Sequence, residues 1–328
     1  MLKKTLILNQ RQIQKLIDMR NILVIVEKAF RAQAQGKTQM PAKIYLHLDK
    51  YSGDFRAMPA YIQGMEACGI KWVNVHPRNK RYGLPSVMAV IILSDPKSGF
   101  PLAIMDGTYI TNLRTGAAGG IAAKYLANKD STQVSLVGCG NQAQTQLLAL
   151  QQIFKIRSVF IYDRDSYKAN SFIKKMNSSG LKIKSCSNIK ECLWGADIVV
   201  TTTPSRKPIV KSTWIGQGVH INAIGADAKG KEELEPDILK RAKVIVDDRI
   251  QAMHSGEINV PMARKVFREV DIYATLGEII IGKRRSRLSK DEITIFDSTG
   301  LAICDVAVAN YVYKEALKKN RGFCLSLS

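Results

Sequence analysis

Val134-Ser135-Leu136-Val137-Gly138-Cys139-Gly140-Asn141-Gln142-Ala143 is the stretch that decides the fold. An apolar run ends at Gly138, a second glycine follows at Gly140, and the small Ala143 stands where a helix should begin. A Gly-x-Gly-x-x-Ala turn of this kind lets a βαβ unit hold a dinucleotide. The first glycine permits the tight turn, the second lets backbone approach a pyrophosphate, and the small third residue lets helix and strand pack closely. The pyrophosphate would rest on free N–H groups at the helix N-terminus, which brings Asn141 and Gln142 into the set.

The flanking sequence supports this reading. Gln133–Val137 is β-prone, and Gln142–Phe154 carries Leu147, Leu148, Leu150 and Ile153 at helical spacing. Ser158–Tyr162 reads as a second strand ending in Asp163, 25 residues beyond Gly138, near the expected ~20. A carboxylate there accepts hydrogen bonds from the adenosine ribose hydroxyls and repels a 2′-phosphate, which favours NAD. Arg164 follows directly and could contact a 2′-phosphate, so NADP stays possible. The bland alternative is a strand–turn–helix with no ligand, and the context argues against it.

Composition narrows the class. The chain has 328 residues with 49 Lys and Arg against 28 Asp and Glu, a formal charge of +21. No segment approaches the ~18 uninterrupted apolar residues of a membrane span, and Leu6–Leu8 is too short for a signal-peptide core. Six scattered cysteines (68, 139, 186, 192, 304, 324) contain no Cys-x-x-Cys, and the four histidines (47, 76, 220, 254) show no ligand spacing. Free thiols in a cytoplasm and no metal are the expectation. The positive charge invites a nucleic-acid reading, but the basic residues are spread along the chain and no nucleic-acid motif appears. The densest run, Lys283–Arg287 with Lys290, reads as a solvated loop. A positive field would help an anionic cofactor and carboxylate substrates to find the protein.

Along the chain, Asn9–Leu16 and Asn21–Gln35 read as helices, the second stopped by Gly36. Extended segments follow at Ile44–Leu48, Phe55–Ile62, Ile70–Val75, Val87–Leu93 and Leu102–Met105, punctuated by glycine and proline. Strands in succession without helices between them predict a mixed or antiparallel sheet. Thr111–Leu126 is a helix rich in Ala and Gly. From Gln133 the pattern alternates, with strands at 133–138, 158–163, 182–186, 197–203, 219–224, 243–247 and 293–297, and helices including Leu234–Ala242 and Thr275–Ile281. That is α/β: a Rossmann-type doubly wound parallel sheet, joined to an α+β domain. A final helix, Leu301–Lys319, would return to the first domain. The expected division is 1–113 with 305–328, and 114–304.

Ligands of open parallel sheets bind beyond the carboxyl ends of the strands. Three such ends are distinctive: Thr201-Thr202-Thr203-Pro204-Ser205-Arg206, Asn222-Ala223-Ile224-Gly225-Ala226-Asp227, and Phe296-Asp297-Ser298-Thr299-Gly300. Their threonines, serines and glycines suit a ribose and a nicotinamide amide, although such residues also end strands elsewhere. Asp227 could orient an amine or act as a general base, or merely cap a helix. In the first domain Lys43, Arg56, Lys71 and Arg114 each sit in or beside an apolar stretch. A substrate carboxylate is one possible partner, and snorkelling to solvent is the other reading.

A family resemblance rests on several segments in order. These are Met58-Pro59-Ala60, Lys71-Trp72-Val73-Asn74-Val75-His76-Pro77, Met105-Asp106-Gly107, Leu113-Arg114-Thr115-Gly116-Ala117-Ala118, the Gly138 turn, Ile221–Asp227 and Phe296–Gly300. Together they resemble the ornithine cyclodeaminase/mu-crystallin family over nearly the whole chain. Met40–Leu46, Asp54–Ala60 and Thr201–Lys207 look most like its archaeal alanine dehydrogenase branch.

The resemblance implies a homodimer built through the first domain, which also binds substrate, and an active site between the domains. It implies that Arg114 and Lys71 hold the substrate carboxylate, that Lys43 and Arg56 handle the substrate, that Asp227 lies near the reacting amine, and that Thr115 joins the cofactor set. Cyclodeaminases usually carry a glutamate where Arg56 stands, so Arg56 favours a smaller substrate. The implied activity is NAD-dependent oxidative deamination of L-alanine. The alternatives are ornithine cyclodeamination, reduction of a cyclic imino acid such as pyrroline-2-carboxylate, and a non-catalytic mu-crystallin-like protein that binds NAD(P)H or another ligand.

Overall fold

Gln133–Val137 forms the strand that its β-prone residues predict, with four of its five residues buried. It pairs in parallel with Ser158–Tyr162 on one side and Ile198–Thr201 on the other. The computed structural model describes residues 4–177 and 180–327. The chain divides into two compact units, residues 1–114 with 301–328 and residues 115–300. The two cuts lie one and four residues from those expected from sequence. The first falls inside the helix Thr108–Leu126, and the second follows Gly300, whose φ of +81° closes the loop before the last helix.

The second unit is an eight-stranded sheet in which every pairing is parallel. Its order is 182–185, 158–162, 133–137, 198–201, 220–223, 294–297, 243–246, 272–275. The chain winds outward from 133–137 in one direction, then restarts beside it at 198–201. This is the switch point of a doubly wound sheet, where the carboxyl ends open a crevice. Ile198–Thr201, His220–Ala223 and Thr294–Asp297 are buried throughout, as expected when both sheet faces are covered. Alternate side chains feed two cores. Val134, Leu136 and Val200 pack with Leu147, Leu150 and Phe172. Val137, Val199 and Ile221 pack with Ile238 and Ile258.

Two local readings need correction. Leu234 ends a short strand, Glu232–Leu234, that pairs with Arg206–Val210, and the helix begins only at Pro236. The sequence reading has no strand at Ile272–Thr275, which pairs at the sheet's edge with Lys243–Val246 and runs straight into the helix Leu276–Ile280. The basic run is exposed apart from Arg287. That side chain donates to Leu126 O at 2.8 Å and Thr294 Oγ1 at 3.2 Å, so one member of the run braces the fold.

The first unit carries a mixed sheet in the order 323–325, 5–8, 101–106, 87–94, 67–75, 53–62, 38–39, with 44–48 also on 53–62. Among the described residues of this sheet, only Thr5–Leu8 and Pro101–Asp106 pair in parallel. Alternation sets the faces. Arg56, Met58, Ala60 and Ile62 of one strand point inward, as do Lys71 and Val73 of the next and Ala89, Ile91 and Leu93 of the third. The helices Met19–Ala34 and Ala302–Lys318 pack against each other, and the latter covers these strands. Among the described residues no helix is long and apolar enough to cross a membrane.

Candidate functional site

In the second unit, Gly138 has φ +97°, and its N–H donates to Tyr162 O at 2.8 Å. A Cβ there would stand 2.8 Å from Thr202 Oγ1. Gly138 is therefore required twice, by backbone and by neighbours. Gly140 is different. Its φ is −81°, open to any residue, and a Cβ on it would meet nothing within 4 Å. Neither conformation nor packing within the chain requires glycine there. Glycine is favoured at a helix N-cap, and here it also leaves room for a ligand to approach. Gly140 is the N-cap of the helix Asn141–Gln151 and supplies no side-chain cap, so the first-turn N–H groups lack that partner. Ala143 is fully buried beside Val134 and Leu136, as close helix–strand packing demands. The turn fits a pyrophosphate.

Asp163 closes the next strand. Its Oδ2 accepts from Cys139 N at 2.9 Å and its Oδ1 from Asp165 N at 2.9 Å. The carboxylate is thus fixed beside the turn, and each oxygen keeps a second lone pair for a ribose hydroxyl. Arg164 is exposed.

The strand ends are tied down by buried acids that the sequence reading does not single out. Glu233 accepts from Thr203 N at 2.6 Å and Gly225 N at 2.9 Å, joining two neighbouring strand ends. A Cβ on Gly225 would strike Thr203 O at 2.2 Å. Glu257 Oε1 accepts from Glu233 N and Leu234 N at 2.8 and 2.6 Å, while Asp297 Oδ1 accepts from Glu257 N at 2.8 Å. Burial first, then the nearby Glu233 charge, pushes Glu257 well above the usual carboxylate range.

Asp247 accepts from Thr299 N at 2.7 Å, Gly300 N at 2.8 Å, Thr299 Oγ1 and Ser298 Oγ. Those two backbone N–H groups are thus bonded within the unit. Ser205 Oγ donates to Lys207 O at 2.6 Å, and Pro204 is exposed. Thr115 O accepts from Gln146 Nε2 at 3.0 Å. Ala223 is buried at a strand end, and Asp227 pairs with Lys231 four residues on.

In the first unit, register aligns Met58, Lys71, Ile91 and Met105 across four strands, all buried. Lys71 is the one charge in that row. It is 1% exposed, Arg114 is 5%, and Asp305, in the first turn of Ala302–Lys318, is 0%. Lys71 Nζ lies 2.7 Å from Asp305 Oδ2, and Arg114 Nε lies 2.9 Å from Oδ1. Arg114 Nη1 and Nη2 make no hydrogen bond to the described residues.

Two buried cations thus share one carboxylate, and half-buried Lys43 adds its field at Lys71. Burial chiefly, with the Arg114 and Lys43 charges, brings Lys71 down to about 7 against the opposing pull of Asp305. Burial would raise Asp305, but the Arg114 and Lys71 charges outweigh it and hold it below its ordinary value. Two cations face one carboxylate, and the guanidinium fork is without a hydrogen bond to the described residues; a carboxylate can match such a fork. Arg56 stands opposite Val73, on the same inward face as Lys71. Its Nε donates to Asp54 Oδ1 at 2.7 Å, and its guanidinium sits 5.2 Å from the centre of the Tyr45 ring. Asp305 was findable in the sequence as the lone acid within the apolar run Ala302–Ala309.

Known proteins match along the whole length. The sequence profile of the ornithine cyclodeaminase/mu-crystallin family matches residues 3–320. An alanine dehydrogenase of Archaeoglobus fulgidus is 53% identical over 321 residues, 97% of each chain. Among solved structures, an archaeal alanine dehydrogenase dimer with bound NAD superposes with a TM-score of 0.96 at 52% identity, covering 99% of this chain and 100% of that one. Delta(1)-pyrroline-2-carboxylate reductase of Thermococcus litoralis, in complex with NADH and L-proline, gives 0.95 at 39% identity, covering 97% and 99%.

Proposed function

The chain belongs to the ornithine cyclodeaminase/mu-crystallin family, and on that premise we propose that it is an NAD-dependent L-alanine dehydrogenase: alanine + NAD⁺ + water ⇌ pyruvate + ammonium + NADH + H⁺. The 53% identity to an alanine dehydrogenase along 97% of both chains carries the choice of substrate. The first unit is the substrate-binding and dimerisation domain, and the second binds the dinucleotide.

Bound NAD supplies the hydride acceptor for Cα. The chain's own residues do the rest. Arg114 offers its fork and Lys71 its ammonium to the substrate carboxylate, drawing on the excess positive charge around Asp305. Lys43 polarises the keto oxygen of pyruvate or holds the attacking water. Asp227, paired with Lys231, exchanges protons with the amine. Arg56, anchored on Asp54, shapes the field around a small side chain where a diamino acid would need an acid. Gly138, Gly140, Asn141, Gln142 and Ala143 form the pyrophosphate turn, and Asp163 with Arg164 meets the adenosine ribose. Thr115, Thr202, Thr203, Pro204, Ser205, Ala223, Gly225, Asp227, Ser298, Thr299 and Gly300 shape the nicotinamide side.

A homodimer is supported by an apolar row in one register, Ile44, Ala57, Trp72 and Val90. Ile44, Trp72 and Val90 are 63%, 43% and 45% exposed, and contiguous exposed apolar residues mark interaction surfaces.

NADH oxidation with pyruvate and ammonium tests the reaction. Turnover that needs both compounds supports it. Silence there, with rapid reduction of pyrroline-2-carboxylate, would move the function to imino-acid reduction.

A further inference from the structure

We infer that Asp305 is a positioning residue: a built-in counter-anion that fixes Lys71 and Arg114 around the substrate carboxylate and sets how much charge they offer it. This deepens the proposed carboxylate site and rests on that reading. The geometry is specific. One carboxylate meets two cations on different oxygens, at 2.7 and 2.9 Å, with all three side chains buried. Binding Arg114 through Nε leaves the terminal fork as the only guanidinium edge on offer. Binding Lys71 through one proton leaves two ammonium donors. The arrangement also places Asp305 where it competes, charge for charge, with an incoming carboxylate.

The charged groups acting on Lys71 are Asp305, Arg114 and Lys43, and those acting on Asp305 are Arg114 and Lys71. Of these, only Asp305 favours the protonated lysine. Removing its charge leaves Lys71 facing cations alone. Lys71 then loses its proton at lower pH, and the site loses its grip on an anion at lower pH.

The experiment titrates pyruvate, which does not ionise in the range, against the enzyme–NADH complex from pH 5 to 9. If pyruvate does not bind, L-proline with NAD⁺ is the probe. In the wild type, affinity weakens with a midpoint near pH 7, which amounts to ~25-fold between pH 6.5 and 8.5 if only the protonated lysine binds. In Asp305→Asn the midpoint falls by a pH unit or more, while the limiting affinity at acid pH is at least that of the wild type, because no internal anion competes. Asp305→Glu keeps the charge and lengthens the arm. Its midpoint stays near 7, and its limiting affinity falls about 10-fold as the two cations are displaced.

Uniform weakening in Asp305→Asn with the midpoint unmoved would mean a structural prop and overturn the inference. Should the Asn variant not fold, judged by circular dichroism and NADH binding, the Glu variant decides: a shifted midpoint or an unchanged limiting affinity overturns the inference. A wild type that binds L-proline but not pyruvate refutes alanine chemistry and leaves Asp305 on trial with the second probe. A wild type that binds neither removes the carboxylate site and the inference together.

Discussion

The two glycines of the dinucleotide turn should fail in opposite ways. Alanine at Gly138 meets a backbone at φ +97° and neighbours at 2.8, 3.1 and 3.2 Å. The left-handed conformation costs about 1–2 kcal/mol, and forced overpacking adds roughly 1–3 kcal/mol. A loss of about 2–5 kcal/mol lowers the melting temperature by roughly 2–4 °C per kcal/mol for a unit of this size. Alanine at Gly140 meets an ordinary φ and empty space, so melting should stay within about 2 °C of the wild type. Its methyl instead projects where the pyrophosphate must come. Losing one charge-assisted hydrogen bond there costs about 1.5–3 kcal/mol, or about 10- to 150-fold in NADH affinity. The assay is NADH fluorescence titration beside a melting curve. Wild-type NADH affinity in Gly140→Ala would refute the assignment of the turn, whatever Gly138→Ala did to stability.

Other outcomes follow from single contacts. Glu257→Gln tests the buried acids. A carboxyl held above its ordinary range in the folded state takes up a proton on folding, so its contribution to stability falls as pH rises above ~5, by about 1.4 kcal/mol per pH unit until the folded carboxyl ionises. The Gln variant should lose that slope in urea unfolding between pH 6 and 8, and parallel slopes would show Glu257 ionised. Asp163→Asn keeps an acceptor for one of the Cys139 and Asp165 N–H groups and loses the charge that repels a 2′-phosphate. The preference for NADH over NADPH should relax about 10-fold in kcat/KM, and an unchanged ratio would remove Asp163 from cofactor choice.

The parts of the fold visible in sequence are those whose reasons are local. Gly138, Ala143 and the strand Gln133–Val137 each answer to a turn, a helix start or a β-prone run within a few residues. The register row that buries Lys71 was half visible: alternation places Lys71 with Val73, but only pairing with Met58 and Ile91 shows the row to be otherwise apolar. Thr5–Leu8 and Ile272–Thr275 escape because each strand owes its existence to a distant partner. The same holds for Asp305. Its isolation in an apolar helix marks it, yet nothing local says that Lys71 and Arg114 are its neighbours. The Ser298-Thr299-Gly300 loop shows the same dependence on distant partners. Its composition suits a ligand, but Asp247, about fifty residues earlier, takes its N–H groups.

The most direct test of hydride transfer at the α-carbon is to incubate the enzyme with [4,4-²H₂]NADH, pyruvate and ammonium and to locate the deuterium by NMR. L-alanine deuterated at C2, formed only when pyruvate and ammonium are both present, is the predicted result. Lactate deuterated at C2, or no deuterated alanine while pyrroline-2-carboxylate yields C2-deuterated proline, would contradict it.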